Sequence, residues 1–125
     1  DEKKLIFSTL NYLKNLDQNV NYILISDYQI YNAILNKKDF SPVKYWFENA
    51  TYPSKNHRLR ENFEIFFKSK ITKNKVSQII IDNNAKFKSE ELFEFSWLYN
   101  CLEKRNNFAQ DEIIDVFLIK NNCIK

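Results

Sequence analysis

The stretch Gln78-Ile79-Ile80-Ile81-Asp82 constrains this chain most. Three consecutive isoleucines are stiff at χ1 and suit a pleated backbone better than a helix. An apolar run this short, stopped by Asp82, Asn83 and Asn84, predicts a strand covered on both faces. Upstream, Tyr22-Ile23-Leu24-Ile25-Ser26-Asp27 repeats the design and also ends in Asp. Helical sequence follows each run. The expected fold is α/β: a small, mostly parallel sheet of three or four strands flanked by helices.

A chain of 125 residues suits one α/β domain, spanning 1–125, with a core of its own. Its 44% hydrophobic and 28% charged residues exclude a disordered chain. Lys, Asn, Ile, Phe and Tyr are abundant, all residues of A/T-rich codons, so lysine number alone says little about function. The net charge of +3 is mild and acidic residues are interspersed. That is unlike the dense basic patch of a nucleic-acid domain, and no nucleic-acid partner is expected. No run approaches the roughly 18 apolar residues needed to span a bilayer. The chain holds no Met and begins at Asp1, so a piece of a longer polypeptide is expected. Leu5-Ile6-Phe7 is too short for the apolar region of a signal peptide.

The chain also holds no Gly. Left-handed backbone then falls to Asn, whose short side chain tolerates it. Asn pairs at 83–84, 106–107 and 121–122 mark expected element ends. The phosphate loops of P-loop and dinucleotide folds need glycine where backbone approaches phosphate. The expected sheet is thus Rossmann-like without a nucleotide motif, and no cofactor is expected.

Taken in order, the periodicity predicts a helix over 3–16 and a strand from Val20 to Ser26. Asp27 is placed to cap a short helix, Tyr28 to Asn36. Residues 39–57 are irregular, with Val43 to Phe47 as a short edge strand between turn signals at Ser41-Pro42 and Pro53-Ser54. A connection this long is either functional or a surface excursion held down by its aromatics. A helix over Arg58–Lys70 precedes the strand Val76–Asp82. Ser89 is placed to cap a long apolar helix, Glu90 to Arg105, acidic in its first turn and basic in its last. Ile113 to Ile119 closes the domain as a strand whose Asp115 implies an edge or one wet face.

Parallel neighbours would bring Asp27 and Asp82 to one carboxyl edge of the sheet, where open α/β sheets bind ligands. Each Asp could equally hold the turn after it. Asn83 follows Asp82 at the same edge. No third acidic residue or His has metal-ligand spacing, so no metal site is expected. His57, Arg58 and Arg60 form a basic cluster at a helix start, suited to phosphate or simply to solvent. Tyr45 and Trp46 are contact candidates in the aromatic segment 40–53. Cys101 and Cys123 lack CxxC or zinc spacing, leaving a disulfide or two free, partly buried thiols. The serines lack a nucleophile-elbow context, and no catalytic residue emerges.

The succession Asn21–Asp27, Ser41-Pro42-Val43-Lys44-Tyr45-Trp46-Phe47, Asn62–Phe67, Gln78–Asp82 and Val116–Lys120 resembles the soluble C-terminal domain of GT-C type polytopic membrane glycosyltransferases. That group includes protein mannosyltransferases and aminoarabinose transferases, which draw sugars from polyprenyl-phosphate donors. The resemblance implies a non-catalytic extracytoplasmic domain, since the family's catalytic acidic residues lie in an early loop outside this stretch. Its partners would be the membrane-embedded part of the same chain and a lipid-linked sugar or acceptor. On that face of the membrane a Cys101–Cys123 disulfide becomes accessible. Two other readings stand beside it: an interaction module using the aromatic 40–53 segment, and a small enzyme using Asp27 and Asp82.

Overall fold

The computed structural model describes residues 2–28, 30–38, 40–43, 46, 48–82, 85–105 and 114–123. Helix α1, Glu2–Lys14, leads into strand β1, Asn21–Ile25, and helix α2, Ile30–Leu35. Helix α3, Arg60–Lys73, leads into strand β2, Val76–Asp82. A single helical turn α4, Ser89–Leu92, precedes strand β3, Leu102–Lys104, and strand β4, Ile114–Ile119. A 3₁₀ turn, Asn121–Cys123, ends the described chain. Among the described residues no helix is long and apolar enough to cross a membrane.

The sheet has four strands in the order β1-β2-β4-β3. β1 and β2 are parallel neighbours, with Tyr22 opposite Gln78 and Ile25 opposite Ile81. β4 runs against both of its neighbours, β2 and β3. The sheet is therefore mixed, and its pairings are mostly antiparallel, correcting the expected mostly parallel sheet. The physical reason lies in the last connection. Lys104 and Ile114 are separated by nine residues, 105–113, fewer than the dozen or so a parallel crossover needs. β4 must return antiparallel, and it does so in the slot between β2 and β3. Asp115 thus sits on an inner strand, half-buried, not at an edge.

The consecutive isoleucines do what a strand covered on both faces requires. Ile79 and Ile81 join one apolar cluster with Ile23, Ile25, Phe117 and Ile119 of the other strands. Phe67 and Ile71 of α3 cover that face, together with Trp46, Tyr52, Phe87, Phe95 and Leu98. Ile80 points the other way, into a cluster with Tyr22, Val116, Tyr12 and Leu13 of α1 and Tyr31 of α2. Alternation with period two splits the run between two cores. The flanking helices expected from the sequence are present on both faces.

The long helix expected over Glu90–Arg105 is not formed. After α4 the chain continues in turns with bonds from Phe95 N to Leu92 O, Leu98 N to Phe95 O and Cys101 N to Leu98 O. Each bond spans three residues, and Leu92, Phe95, Leu98 and Cys101 are the buried positions. A three-residue repeat belongs to 3₁₀-like backbone, not to an α-helix. Because Phe93 and Trp97 are apolar too, the sequence satisfies either period. Leu102 to Lys104, read as the helix end, is instead edge strand β3. Ser89 does not cap α4. The Lys88 backbone N–H donates to the Glu91 carboxylate at 3.1 Å, and Glu91 N–H returns to Lys88 O at 2.9 Å.

Of the edge strand expected at Val43–Phe47, the described residues Val43 and Trp46 belong to no strand. Among the described residues of this region only Glu48 and Tyr52 make an isolated bridge; Lys44, Tyr45 and Phe47 lie outside the described residues. Left-handed backbone falls to Asn36 (φ 52°), Asn49 (φ 61°) and Lys75 (φ 50°). Two of these are Asn, although neither belongs to an Asn pair. The pairs at 83–84 and 106–107 and residue Ile113 lie outside the described residues, and 121–122 is 3₁₀.

Candidate functional site

The parallel pairing of β1 with β2 brings Asp27 and Asp82 to the same carboxyl edge. There each carboxylate ties the end of one strand to the other. Asp82 is 1% exposed and accepts the Ser26 hydroxyl. Ser26 Oγ in turn accepts the Tyr28 N–H at 3.0 Å, so Ser26, not Asp27, shapes the turn toward α2. α2 begins at Ile30, two residues later than expected. Asp27 Oδ1 accepts the Lys86 N–H at 3.4 Å and thereby ties the turn after β1 to the turn after β2. Asn83 lies outside the described residues.

A cleft of about 290 Å³ opens beside this edge, lined by Asp82, Lys88, Ser89, Lys104 and Asp115 among others. Asp115 accepts the Ser89 hydroxyl and lies 3.6 Å from the exposed Lys104 ammonium. Both carboxylates thus spend oxygen lone pairs on hydroxyls inside the protein. Among the described residues no group of three or more His, Cys, Asp or Glu could hold a metal ion. The arrangement braces the ends of β2 and β4.

Among the described aromatics of the 40–53 segment, Trp46 and Tyr52 belong to the core. Trp46 is 3% and Tyr52 4% exposed. The Trp46 ring lies 4.9 Å from Phe87, 5.4 Å from Phe67 and 5.5 Å from Tyr52, centroid to centroid. Its indole N–H donates to Ser41 Oγ at 3.0 Å. Burial pushes the Tyr52 hydroxyl far above the ordinary tyrosine range, with Glu91 and Glu48 adding to the effect. These two rings hold the irregular connection to the core, and Trp46, expected as a contact candidate, is buried there. Tyr45 lies outside the described residues.

The basic cluster divides. Arg58 and His57 are exposed, and His57 Nδ1 accepts the Leu59 N–H at 3.0 Å. Arg60, the first residue of α3, is only 5% exposed. Its guanidinium carbon stands 4.0 Å from the centre of the Phe95 ring. Nε donates to Glu64 Oε2 at 3.2 Å and Nη1 to Pro53 O at 2.9 Å. Glu64 Oε1 receives both the N–H and the hydroxyl of Ser96, each at 2.8 Å. Arg60 and Glu64 thus lock the start of α3 to the turns at 93–100. A cleft of about 600 Å³ lies over this junction, lined by Arg58, Arg60, Glu64, Lys68, Ser96 and Trp97 with their neighbours. Sequence reading reached His57, Arg58 and Arg60 but missed Glu64, Lys68, Ser96 and Trp97. The last two reach the cleft from the turns that follow α4.

Cys101 and Cys123 are joined, with Cα atoms 6.0 Å apart across 22 positions of sequence. The bond ties the 3₁₀ turn after β4 to the residue before β3. Beside it, Lys120 N donates to Cys101 O at 2.9 Å.

Compared with family models, curated proteins and solved structures, the chain matches none. The fold class therefore rests on the topology above: helices on both faces of a mixed four-stranded sheet.

Proposed function

We propose that this chain is a non-catalytic, extracytoplasmic domain of a membrane glycosyltransferase-like protein, helping to recognise an acceptor or a lipid-linked sugar. The observation that carries the reading is the Cys101–Cys123 disulfide. Structural disulfides persist in oxidising compartments and are rare in the cytosol. The two carboxylates first considered for catalysis are engaged across the strand edge, Asp82 by the Ser26 hydroxyl and Asp27 by the Lys86 N–H, which favours a supporting role over chemistry. The burial of Trp46 and Tyr52 favours this reading over an aromatic interaction module.

The test uses the full-length gene product in its native host. Membranes are separated from soluble protein, and intact cells are treated with a membrane-impermeant thiol reagent before and after mild reduction. The expected result is a membrane-bound protein whose Cys101 and Cys123 label only after reduction, and from outside the cytoplasm. Recovery in the cytosol with both thiols free would overturn the proposal. Removal of residues 1–125 from the membrane protein is then expected to weaken sugar transfer without abolishing donor cleavage.

A further inference from the structure

We propose that the cleft at the start of α3 binds a phosphate monoester group. Two donors carried by residues that line it are left without acceptors. Arg60 Nη2 and Trp97 Nε1 are both buried, and neither finds a hydrogen-bond partner among the described residues. Both residues line the same cleft, although they come from different elements. A guanidinium and an indole N–H can only donate. A buried donor left unpaired is destabilising, and more so when charged. Two such donors beside one cleft point to an acceptor-rich ligand.

The charge around them has the matching sign. The cleft walls carry Lys55, Arg58, Arg60 and Lys68 against Glu61 and Glu64. Glu64 is already engaged by Arg60 and Ser96, so it does not compete for the open donors. α3 is 14 residues long, and its positive dipole end begins at Arg60. The residue at its cap is Leu59, whose side chain cannot accept from the helix start; His57 O takes the Arg60 N–H at 3.0 Å. A tetrahedral phosphate presents terminal oxygens in several directions, which suits donors arriving from a helix start, a guanidinium and an indole. A planar carboxylate would serve fewer of them.

Lys68 controls access. Its ammonium stands 5.9 Å from the centre of the Trp97 ring. Lys68 is exposed and its stem is flexible. Binding requires it to leave the indole face and turn toward the anion. The indole N–H then gains an acceptor, which provides a direct signal.

The chain has two Trp, so its ¹⁵N spectrum carries two indole N–H resonances; Trp97→Phe assigns them. The protein is titrated with inorganic phosphate, and separately with sodium chloride at matched ionic strength. The expected result is a saturable shift of the Trp97 indole with phosphate, several-fold larger than with chloride. Arg58→Gln and Lys68→Gln alter exposed residues and leave the fold intact; each is expected to weaken binding several-fold. Co-sedimentation with phosphatidylcholine vesicles, with and without phosphatidic acid, separates the sources of the group. Pelleting that needs phosphatidic acid and Arg58 assigns the site to a lipid headgroup. A phosphate shift without pelleting assigns it to a soluble phosphate ester. A Trp97 resonance that responds alike to phosphate and chloride, or a shift unaltered in both variants, overturns the proposal. Vesicle binding without the phosphate shift also overturns it.

Discussion

Removing the Cys101–Cys123 bond tests how the carboxyl-terminal part of the sheet is held. β3 has three residues and, among the described residues, pairs with β4 alone, through Leu102–Ile119, Glu103–Leu118 and Lys104–Phe117. Such a strand has little to keep it in place alone. The disulfide closes a loop of 22 residues at the Leu102–Ile119 end of this pair. Chain-entropy arithmetic for that length gives about 3 kcal/mol of stabilisation at 25 °C, by restricting the unfolded chain. Unfolding entropy near 60 °C is about 2.1 cal/mol/K per residue, or roughly 260 cal/mol/K for a chain of this size. The loss then corresponds to a fall in Tm of roughly 12 °C. Calorimetry compares the oxidised protein, the reduced protein and the double variant Cys101→Ala/Cys123→Ala. Because the constraint acts on the unfolded state, the urea m-value is also expected to rise when the bond is absent. A fall in Tm below roughly 4 °C, equivalent to about 1 kcal/mol, would refute the reasoning. It would mean that packing of Leu102 and Ile119 already holds β3.

Three other expectations follow from the same geometry. Trp46→Ala opens a cavity among Tyr52, Phe67 and Phe87 and is expected to cost about 3–5 kcal/mol in urea unfolding; a loss under about 1 kcal/mol would show that segment 46–52 contributes little to the core. Lys75 has φ 50° between α3 and β2, so Lys75→Gly relieves about 1–2 kcal/mol of left-handed strain and returns part of it as unfolded-state entropy. A net gain of about 0.5–1 kcal/mol is expected in chemical denaturation, and an unchanged midpoint would contradict it. Burial raises the Glu91 carboxyl above its ordinary 4.5, opposed by the Lys88 N–H and assisted by Glu48, Glu94 and Glu90. A raised carboxyl binds its proton more tightly in the folded state, so its contribution is full below pH 4.5 and lost as pH rises through the raised value. Glu91→Gln keeps an acceptor for Lys88. It is expected to exceed the natural protein in stability near pH 7, the advantage closing below about pH 4.5. A difference that does not vary with pH would sink that reading.

Local chemistry determined the centre of this protein. The stiffness of Ile79, Ile80 and Ile81 and the design repeated at Tyr22–Ile25 already specify β2 and β1, and their parallel pairing brings Asp27 and Asp82 to one edge. α1 follows from apolar spacing at three and four residues, since a helix satisfies its backbone within its own segment; α3 buries Arg60, Phe67 and Ile71 and leaves Leu59 and Phe66 exposed. Tertiary structure decided what depends on distant partners. The direction of β4 is set by the slot between β2 and β3, and β3 exists only as a partner to β4. The 92–101 segment carries apolar residues at both three-residue and helical spacing, so packing against the core chose the three-residue repeat. That choice carries Phe95 beneath the Arg60 guanidinium and Ser96 onto Glu64. No local pattern around His57, Arg58 and Arg60 announces these contacts, because their partners lie more than 30 residues away along the chain. The Trp46–Tyr52 stretch looked equally fit for surface or core. Only the ring cluster built by Phe67, Phe87 and Phe95 gave it an interior to enter. Strand and helix formation is thus local here, whereas strand order, burial of irregular segments and assembly of the α3 cleft require contacts that sequence spacing does not encode.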